Sequence, residues 1–170
     1  QSLVNAWSPA GESYARQFTG LPHATALSHI MSAMATLSGF ELASERIAVA
    51  LDSRSQEDEH SCFSDTTHQD IAANAWGIRE VYLGGTEKGH TGVHTLAVAM
   101  APKEAKALEA LIRESTRLAD ACPNPVDQAL LAADSDPRRA HLQALVTALQ
   151  RQAEALKALG QRMGIAVHIH

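Results

Sequence analysis

The stretch at residues 136–164, DPRRAHLQALVTALQRQAEALKALGQRMG, decides the fold class. Residues suited to burial recur every three or four positions along it, which is the spacing of one buried stripe on an amphipathic α-helix. Asp136 followed by Pro137 is a typical helix start, and Gly164 is a typical helix end. The stripe consists of Leu142, Leu145, Leu149, Gln152, Leu156, Leu159 and Met163. We therefore predict one long helix that packs against other helices.

A second long helix is predicted over residues 23–53, and its apolar stripe is interrupted. The stripe runs through Leu27, Ile30, Met34 and Leu37, reaches Glu41 and Ser44, and resumes at Ala48 and Leu51. A carboxylate at a buried position requires either a partner or a function. Glu45 lies four residues beyond Glu41 and shares its helix face. Arg46 is either a structural ion-pair partner of these carboxylates or a member of the same site.

Three further helices are predicted over residues 66–83, 93–101 and 102–122. Ser64 or Asp65 is expected to cap the first of them, and Trp76 and Tyr82 are expected to anchor its buried layer. Aromatic residues make up only 4% of the chain, and few segments alternate with a period of two, so strands are not expected. The prediction is an all-α fold, namely an up-down four-helix bundle with long helices and a structured polar loop after the first.

Composition excludes several classes of partner. The net charge is −5 and no large cluster of Lys and Arg is present, which argues against binding to nucleic acid. The chain contains no run of about 18 apolar residues, so the sequence does not predict a membrane span. The chain opens on Gln1 without a signal-peptide pattern. Residues 1–20 do not join the bundle pattern, so we interpret them as a lead-in segment, a remnant of a preceding domain, and residues 21–170 as the bundle domain.

The polar segment at residues 56–70, QEDEHSCFSDTTHQD, is the strongest candidate for a functional site. Three successive carboxylates, at residues 57–59, raise one another's proton affinity where they are held close together. A neighbouring His then titrates near neutrality or binds a metal. Asp65 and His68 meet on the first turn of the following helix. The alternative is an ordinary solvated loop, but Phe63 argues against it because we expect this ring to pin the loop to the core.

The candidate site residues from this reasoning are Glu41, Glu45, Arg46, Glu57, Asp58, Glu59, His60, Ser64, Asp65 and His68. Glu57, His60 and His68 are the candidate metal ligands among them. Cys62 and Cys122 are either two half-buried thiols or one disulfide. A disulfide would close a loop of roughly 60 residues, add on the order of 4 kcal/mol of stability and imply an oxidising compartment.

Four stretches together resemble the C-terminal half of the imelysin family, whose members are also described as insulin-cleaving membrane peptidases or iron-regulated protein A relatives. They are FELASERIAVALDS (40–53), QEDEHSCFSDTTHQDI (56–71), WGIREVYLGG (76–85) and LGQRMGIAVHI (159–169). The family pattern falls on Glu41, Glu45, Arg46, Glu57, Asp58, Glu59, His60, Cys62, Ser64, Asp65 and His68. Thr66 departs from it, since the family commonly has Asn there.

The resemblance implies a two-domain helical lipoprotein, linked to iron and exported to the periplasm or the outer surface. Its other domain would carry a GxHxxE motif, which this chain lacks because GLPHATA (20–26) has no Glu. The first hypothesis is that this domain supplies half of a polar site for an iron or zinc ion or an iron-related ligand, completed by an N-terminal helical domain. One alternative is a metallopeptidase whose HxxE half lies outside this chain. The other is a non-catalytic binding or scaffolding lipoprotein. We expect no robust enzyme activity from this chain alone.

Overall fold

The structure, a computed structural model, describes residues 2–8, 13–85 and 90–169. Within those ranges the chain has helices and no strand, so the predicted all-α class is confirmed. The elements are α1 (Ser2–Ala6), α2 (Tyr14–Thr19), α3 (His23–Ala35), a π-helical segment (Thr36–Ala48), α4 (Val49–Ser53), a 3₁₀ turn (Gln56–Asp58), α5 (Thr67–Leu83), α6 (Val93–Met100), α7 (Pro102–Asp120), α8 (Val126–Leu131) and α9 (Pro137–Met163). None of the helices in the described ranges is long and apolar enough to cross a membrane.

Helix α9 is the helix around which the core is built. It packs against the π-helical segment, α7 and α3, and α7 also packs against α5. All seven residues of the predicted stripe are buried. The helix begins where Asp136 accepts a hydrogen bond from the Arg138 backbone N–H at 2.8 Å, and it ends at Gly164, whose φ is 71°. The up-and-down order of the four long helices stays a prediction.

The core consists of two hydrophobic clusters joined by a buried polar network. One cluster includes Leu42, Ile71, Leu118 and Leu145, and the other includes Met31, Tyr82, Leu108 and Leu156. On each of three helices one polar residue falls between the two clusters: Ser38, Ser115 and Gln152. The Ser115 hydroxyl donates to Gln152 Oε1, Gln152 Nε2 donates to Ser38 Oγ at 3.0 Å, and Ser38 Oγ donates to the Leu149 carbonyl at 2.9 Å. These satisfied hydrogen bonds fix how the three helices align, because a slip would leave buried polar groups unpaired.

The π-helical segment corrects the predicted burial pattern of the second long helix. The bounds of residues 23–53 are confirmed, since α3, the π-helical segment and α4 follow one another without a break. The buried residues after α3, however, are Ser38, Leu42, Ala43, Ile47, Ala50 and Leu51, and among them Ser38, Leu42, Ile47 and Leu51 lie four or five positions apart. Hydrogen bonds from residue i to i−5, such as the Val49 N–H to the Ser44 carbonyl, widen the turn. Glu41 and Ser44 are therefore half-buried at the flank of the helix and are not buried seam residues.

Three local predictions around α5 were wrong. Phe63 is fully exposed, so it does not pin the polar loop to the core. Neither Ser64 nor Asp65 caps α5, because the N-cap position belongs to Thr66, and Asp65 adopts a left-handed conformation with φ 55°. Trp76 is 39% exposed and lies outside the core, where its indole N–H donates to Asp120 at 2.8 Å. The short helix α8 was not predicted.

Candidate functional site

A small cavity of about 60 Å³ lies where the π-helical segment, α5 and the loop that follows the 3₁₀ turn meet. Its polar lining consists of Glu41, Arg46, His60 and Asn74, and its apolar lining consists of Leu37 and Leu42. Three of the ten predicted site residues thus line one cavity, although two of them come from the long helix and one from the loop. The loop and the helix meet here as a single polar surface.

The π-helical geometry is what brings Glu41 and Arg46 to the same cavity. In an α-helix, residues five positions apart point about 140° away from each other, because each residue turns the helix by about 100°. A π-helix needs more residues for each turn, so residues i and i+5 come to the same side. Ser44 supports the wider turn, since its hydroxyl donates to the Gly39 carbonyl at 2.9 Å. π-Helical turns of this kind occur frequently at functional sites.

In the described ranges, Glu41, Arg46 and the Nδ1 atom of His60 lack a protein partner, whereas Asn74 has one. Within residues 13–85 and 90–169, neither Glu41 nor Arg46 has an ion-pair partner within 4.0 Å, so the structural pairing considered for Arg46 is not formed. The Nδ1 atom of His60 is buried and has no hydrogen-bond partner in the described part of the chain. Asn74 uses one N–H, which donates to the Asp70 carbonyl at 2.8 Å. An unpaired buried nitrogen is unfavourable by about 1–3 kcal/mol.

Hydrogen bonds between the loop and α5 hold His60 at the cavity. The Ser61 backbone N–H donates to Thr67 Oγ1 at 3.2 Å, and the Ser61 hydroxyl donates to Asp70 Oδ2. Thr66 Oγ1 donates to the same Asp70 oxygen at 3.2 Å. The residue that follows His60 is therefore fixed to the first turn of α5, which limits the movement of the imidazole.

Glu59 does not line this cavity and is buried separately. Its side chain is 7% exposed, and its Oε1 atom has no hydrogen-bond partner among the described residues. Burial raises the pKa of Glu59, and the negative charges of Asp127 and Asp65 raise it further, whereas a hydrogen bond from Thr67 opposes the shift. The Oδ1 atom of Asp127 is likewise buried and unpaired in the part of the chain that the structure describes. Glu59 thus faces α8, which lies far from it in sequence.

The remaining predicted site residues are not assembled around the cavity. The exposed ones are Glu45, Glu57, Asp58, Ser64 and Asp65. His68 is half-buried, and its Nδ1 atom has no hydrogen-bond partner in the described ranges. Among the residues that the structure describes, no three His, Cys, Asp or Glu side chains are grouped so that they could hold a metal ion. Glu57, His60 and His68 therefore do not form a metal site by themselves.

Both cysteines are free thiols. Cys62 and Cys122 are each half-buried, and no disulfide joins them, so the first of the two alternatives is the one that the structure contains. Burial raises the pKa of the Cys122 thiol to about 12, and the charge of Glu59 adds to the shift. The Cys122 thiol is consequently protonated at neutral pH and a poor nucleophile.

The sequence reasoning missed three residues around the site: Asn74, Asp70 and Asp127. Asn74 carried a usable signal, because it is a polar side chain in the run IAANAWGI and lies four residues after Asp70, on the same helix face. Asp127 carried no such signal in the sequence. Its proximity to Glu59 depends on α8, and that helix has no clear periodic pattern.

A comparison with protein-family models settles the family. The model described as imelysin matches residues 1–156. The chain belongs to the imelysin family. The match covers every residue that lines the cavity and also covers residues 1–20. The imelysin-like stretch noted at residues 159–169 lies beyond the matched range. A comparison with curated proteins finds no match.

Proposed function

We propose that this imelysin domain supplies one part of a polar binding site, which a second helical domain completes around a metal ion or an iron-related ligand. The observation that carries the proposal is the cavity lined by Glu41, Arg46 and His60. Glu41 is half-buried and Arg46 is exposed, and neither has an ion-pair partner in the described ranges, while the Nδ1 atom of His60 is buried without a hydrogen-bond partner there. Buried polar atoms are almost always satisfied, so an unpaired nitrogen beside two unpaired charges favours binding over a purely structural role.

The size of the cavity supports a shared site. About 60 Å³ has room for roughly two water molecules, at about 30 Å³ each. Pockets that enclose a whole small molecule usually measure about 300–1,000 Å³. The cavity can therefore receive one chemical group of a ligand, and the rest of that ligand would contact another surface.

The residues present fit a metal ion only in part. His60 and Glu41 are the cavity residues that would hold it, because imidazole nitrogen and carboxylate oxygen are ligands for both zinc and iron. A bound ion would supply a concentrated positive charge that attracts anionic ligand groups. Structural zinc sites use four protein ligands and catalytic ones use three. The missing ligands would come from the second domain or from the bound molecule.

Peptide hydrolysis by this chain alone is not expected. Many proteases bind an extended substrate along the edge of a strand, and the described residues contain no strand. The cavity is also too small to hold a peptide segment. We accordingly favour binding over a peptidase activity of this domain. Incubating the chain with a labelled peptide should give no turnover above buffer, and measurable turnover would contradict this part of the proposal.

Export to the periplasm or the outer surface, as a lipoprotein, is the location that we propose from family membership. Fractionation of cells that express the complete gene product should place it outside the cytoplasm. Recovery in the cytoplasmic fraction alone would overturn the proposal.

Titration calorimetry of the intact protein with Fe²⁺ and Zn²⁺ tests the binding proposal. Two substitutions at the cavity, His60→Ala and Glu41→Gln, should weaken binding at least tenfold, which corresponds to about 1.4 kcal/mol. The matched controls are His29→Ala and Glu154→Gln, both at exposed positions outside the cavity. The controls should bind as the parent protein does. Absence of binding in the parent, or equal loss in cavity variants and controls, would contradict the proposal.

A further inference from the structure

The charged and polar groups of the cavity select an anion. We propose that Arg46, His60 and Asn74 bind a planar oxyanion of the carboxylate or carbonate class, presented by the ligand. This inference rests on the proposed function, because it assigns the chemical group that enters the same cavity.

Arg46 carries the positive charge that the anion requires. Its guanidinium group is permanently charged, and its planar fork of N–H donors matches the two oxygens of a carboxylate. Seven other arginines in the described part of the chain already contact a carboxylate: Arg54, Arg79, Arg113, Arg117, Arg138, Arg139 and Arg162. Arg46 has no such contact and lines a polar cavity, so its charge is available to a ligand.

His60 and Asn74 add hydrogen-bonding groups beside that charge. His60 lines the cavity, and its buried Nδ1 atom has no hydrogen-bond partner among the described residues. Asn74 keeps one N–H and its carbonyl oxygen free after its hydrogen bond to the Asp70 backbone. A carboxylate can accept about four hydrogen bonds, so one such group could engage all three residues. Leu37 and Leu42 complete the wall, and apolar walls strengthen the attraction between charges.

Glu41 further restricts which anions suit the cavity. A second carboxylate beside the anion is unfavourable unless a proton lies between them. Bicarbonate and α-hydroxycarboxylates supply that proton, because each has an oxygen pair for Arg46 and a hydroxyl that can donate to Glu41. The positive charge of Arg46 repels a metal cation, so an ion held by His60 and Glu41 would require the anion between it and the guanidinium group.

The volume agrees with a planar three- or four-atom group. The cavity has about the volume of two water molecules, which suits a carboxylate or a carbonate. Tetrahedral sulfate also offers oxygen pairs to a guanidinium group, but it is bulkier than a planar group of three or four atoms.

The test is a titration of the ¹⁵N-labelled chain, followed by NMR of the Asn74 side-chain amide and the Arg46 Nε–H. The probes are sodium formate and sodium bicarbonate, with sodium sulfate as the tetrahedral comparison and sodium chloride to hold ionic strength constant. Bicarbonate, whose hydroxyl can donate to Glu41, should give saturable shifts at both groups, and formate, which has no hydroxyl, should give weaker ones. Sulfate should give none. Absence of saturation with bicarbonate, or equal saturation with sulfate, would overturn the proposal.

Substitutions then separate a specific site from general attraction to positive charge. Arg46→Gln should weaken formate binding at least tenfold, and Arg46→Lys should weaken it less because the charge remains. The matched control is Arg151→Gln, at an exposed position on α9 away from the cavity. Equal binding by Arg46→Gln and the parent would overturn the proposal. Both arginines are exposed, so the variants should fold, and circular dichroism verifies this.

The failure of this inference can be told apart from the failure of the proposed metal site. Formate binding without any metal binding would support the anion site and contradict the proposed metal site. Metal binding that is unchanged by formate and by Arg46→Gln would support the metal site and contradict the anion site.

Discussion

The close approach of the π-helical segment to α9 can be tested by the same substitution at two glycines. A Cβ atom at Gly39 would lie 2.7 Å from the Ala153 Cβ, whereas one at Gly77 in α5 would meet no atom within 4 Å. Carbon atoms prefer a separation of about 3.5–4.0 Å, so Gly39→Ala must force the two helices apart by about 1 Å. Such overpacking is unfavourable by about 1–3 kcal/mol, against a gain of about 1 kcal/mol for Ala over Gly in a helix.

We therefore expect Gly39→Ala to lower the free energy of unfolding by about 1 kcal/mol. Gly77→Ala should raise it by up to about 1 kcal/mol. For a chain of this size the two melting temperatures should differ by about 4–8 °C. Thermal and urea unfolding followed by circular dichroism measure both. Ala153→Gly in the Gly39→Ala background should restore stability, because it removes the methyl group that clashes. Equal stabilisation by both single variants would refute the close packing of the π-helical segment against α9.

Three further predictions concern buried polar groups. Gln152→Leu should lower the free energy of unfolding by only about 1 kcal/mol, because the Ser115 and Ser38 hydroxyls keep their backbone partners. Gln152→Ala also opens a cavity, so it should lower the free energy of unfolding by about 2–5 kcal/mol. Urea titrations measure both. Burial raises the pKa of Glu59, so the contribution of this carboxyl to the free energy of unfolding is complete below about pH 4.5 and is lost as the pH rises through the folded-state pKa. The stability of Glu59→Gln relative to the parent should therefore increase over that rise. A difference in stability that does not change with pH would contradict the burial of this carboxyl. A thiol reagent at pH 8 should modify native Cys122 far more slowly than unfolded Cys122, and equal rates would contradict its raised pKa.

The helices were predictable because they follow from local patterns. The stripe of α9, with Asp136 before it and Gly164 after it, identified a helix whose seven predicted positions are all buried. The ends of the second long helix were also correct. Its interior was not, because an α-helical repeat was imposed on residues that follow a π-helical one. The spacing of Ser38, Leu42, Ile47 and Leu51 was visible in the sequence, but a repeat of four or five residues is rarely tested.

The site was predictable in composition but only partly in geometry. Glu41, Arg46 and His60 were selected as unusual polar residues, and the structure places them at one cavity. Glu57 and Asp58, selected on the same grounds, are exposed. Whether a loop residue reaches the cavity or stays exposed depends on how the loop lies against α5. The hydrogen bonds of Ser61 and Thr66 to Asp70 decide that position. Such contacts between a loop and a helix leave no periodic trace in a sequence. Asn74, which completes the cavity, could be found only once the helices were assembled.

The central claim is that the ligand binds at the cavity and not at the exposed 3₁₀ turn that carries Glu57 and Asp58. Ferric citrate is the appropriate probe, since it is an iron complex that carries carboxylates. The measurement is its dissociation constant for the intact protein, compared between Asn74→Ala and the double variant Glu57→Gln/Asp58→Asn. We predict that Asn74→Ala weakens binding at least tenfold and that the double variant binds as the parent does. Loss of binding in the double variant with none in Asn74→Ala would contradict the account.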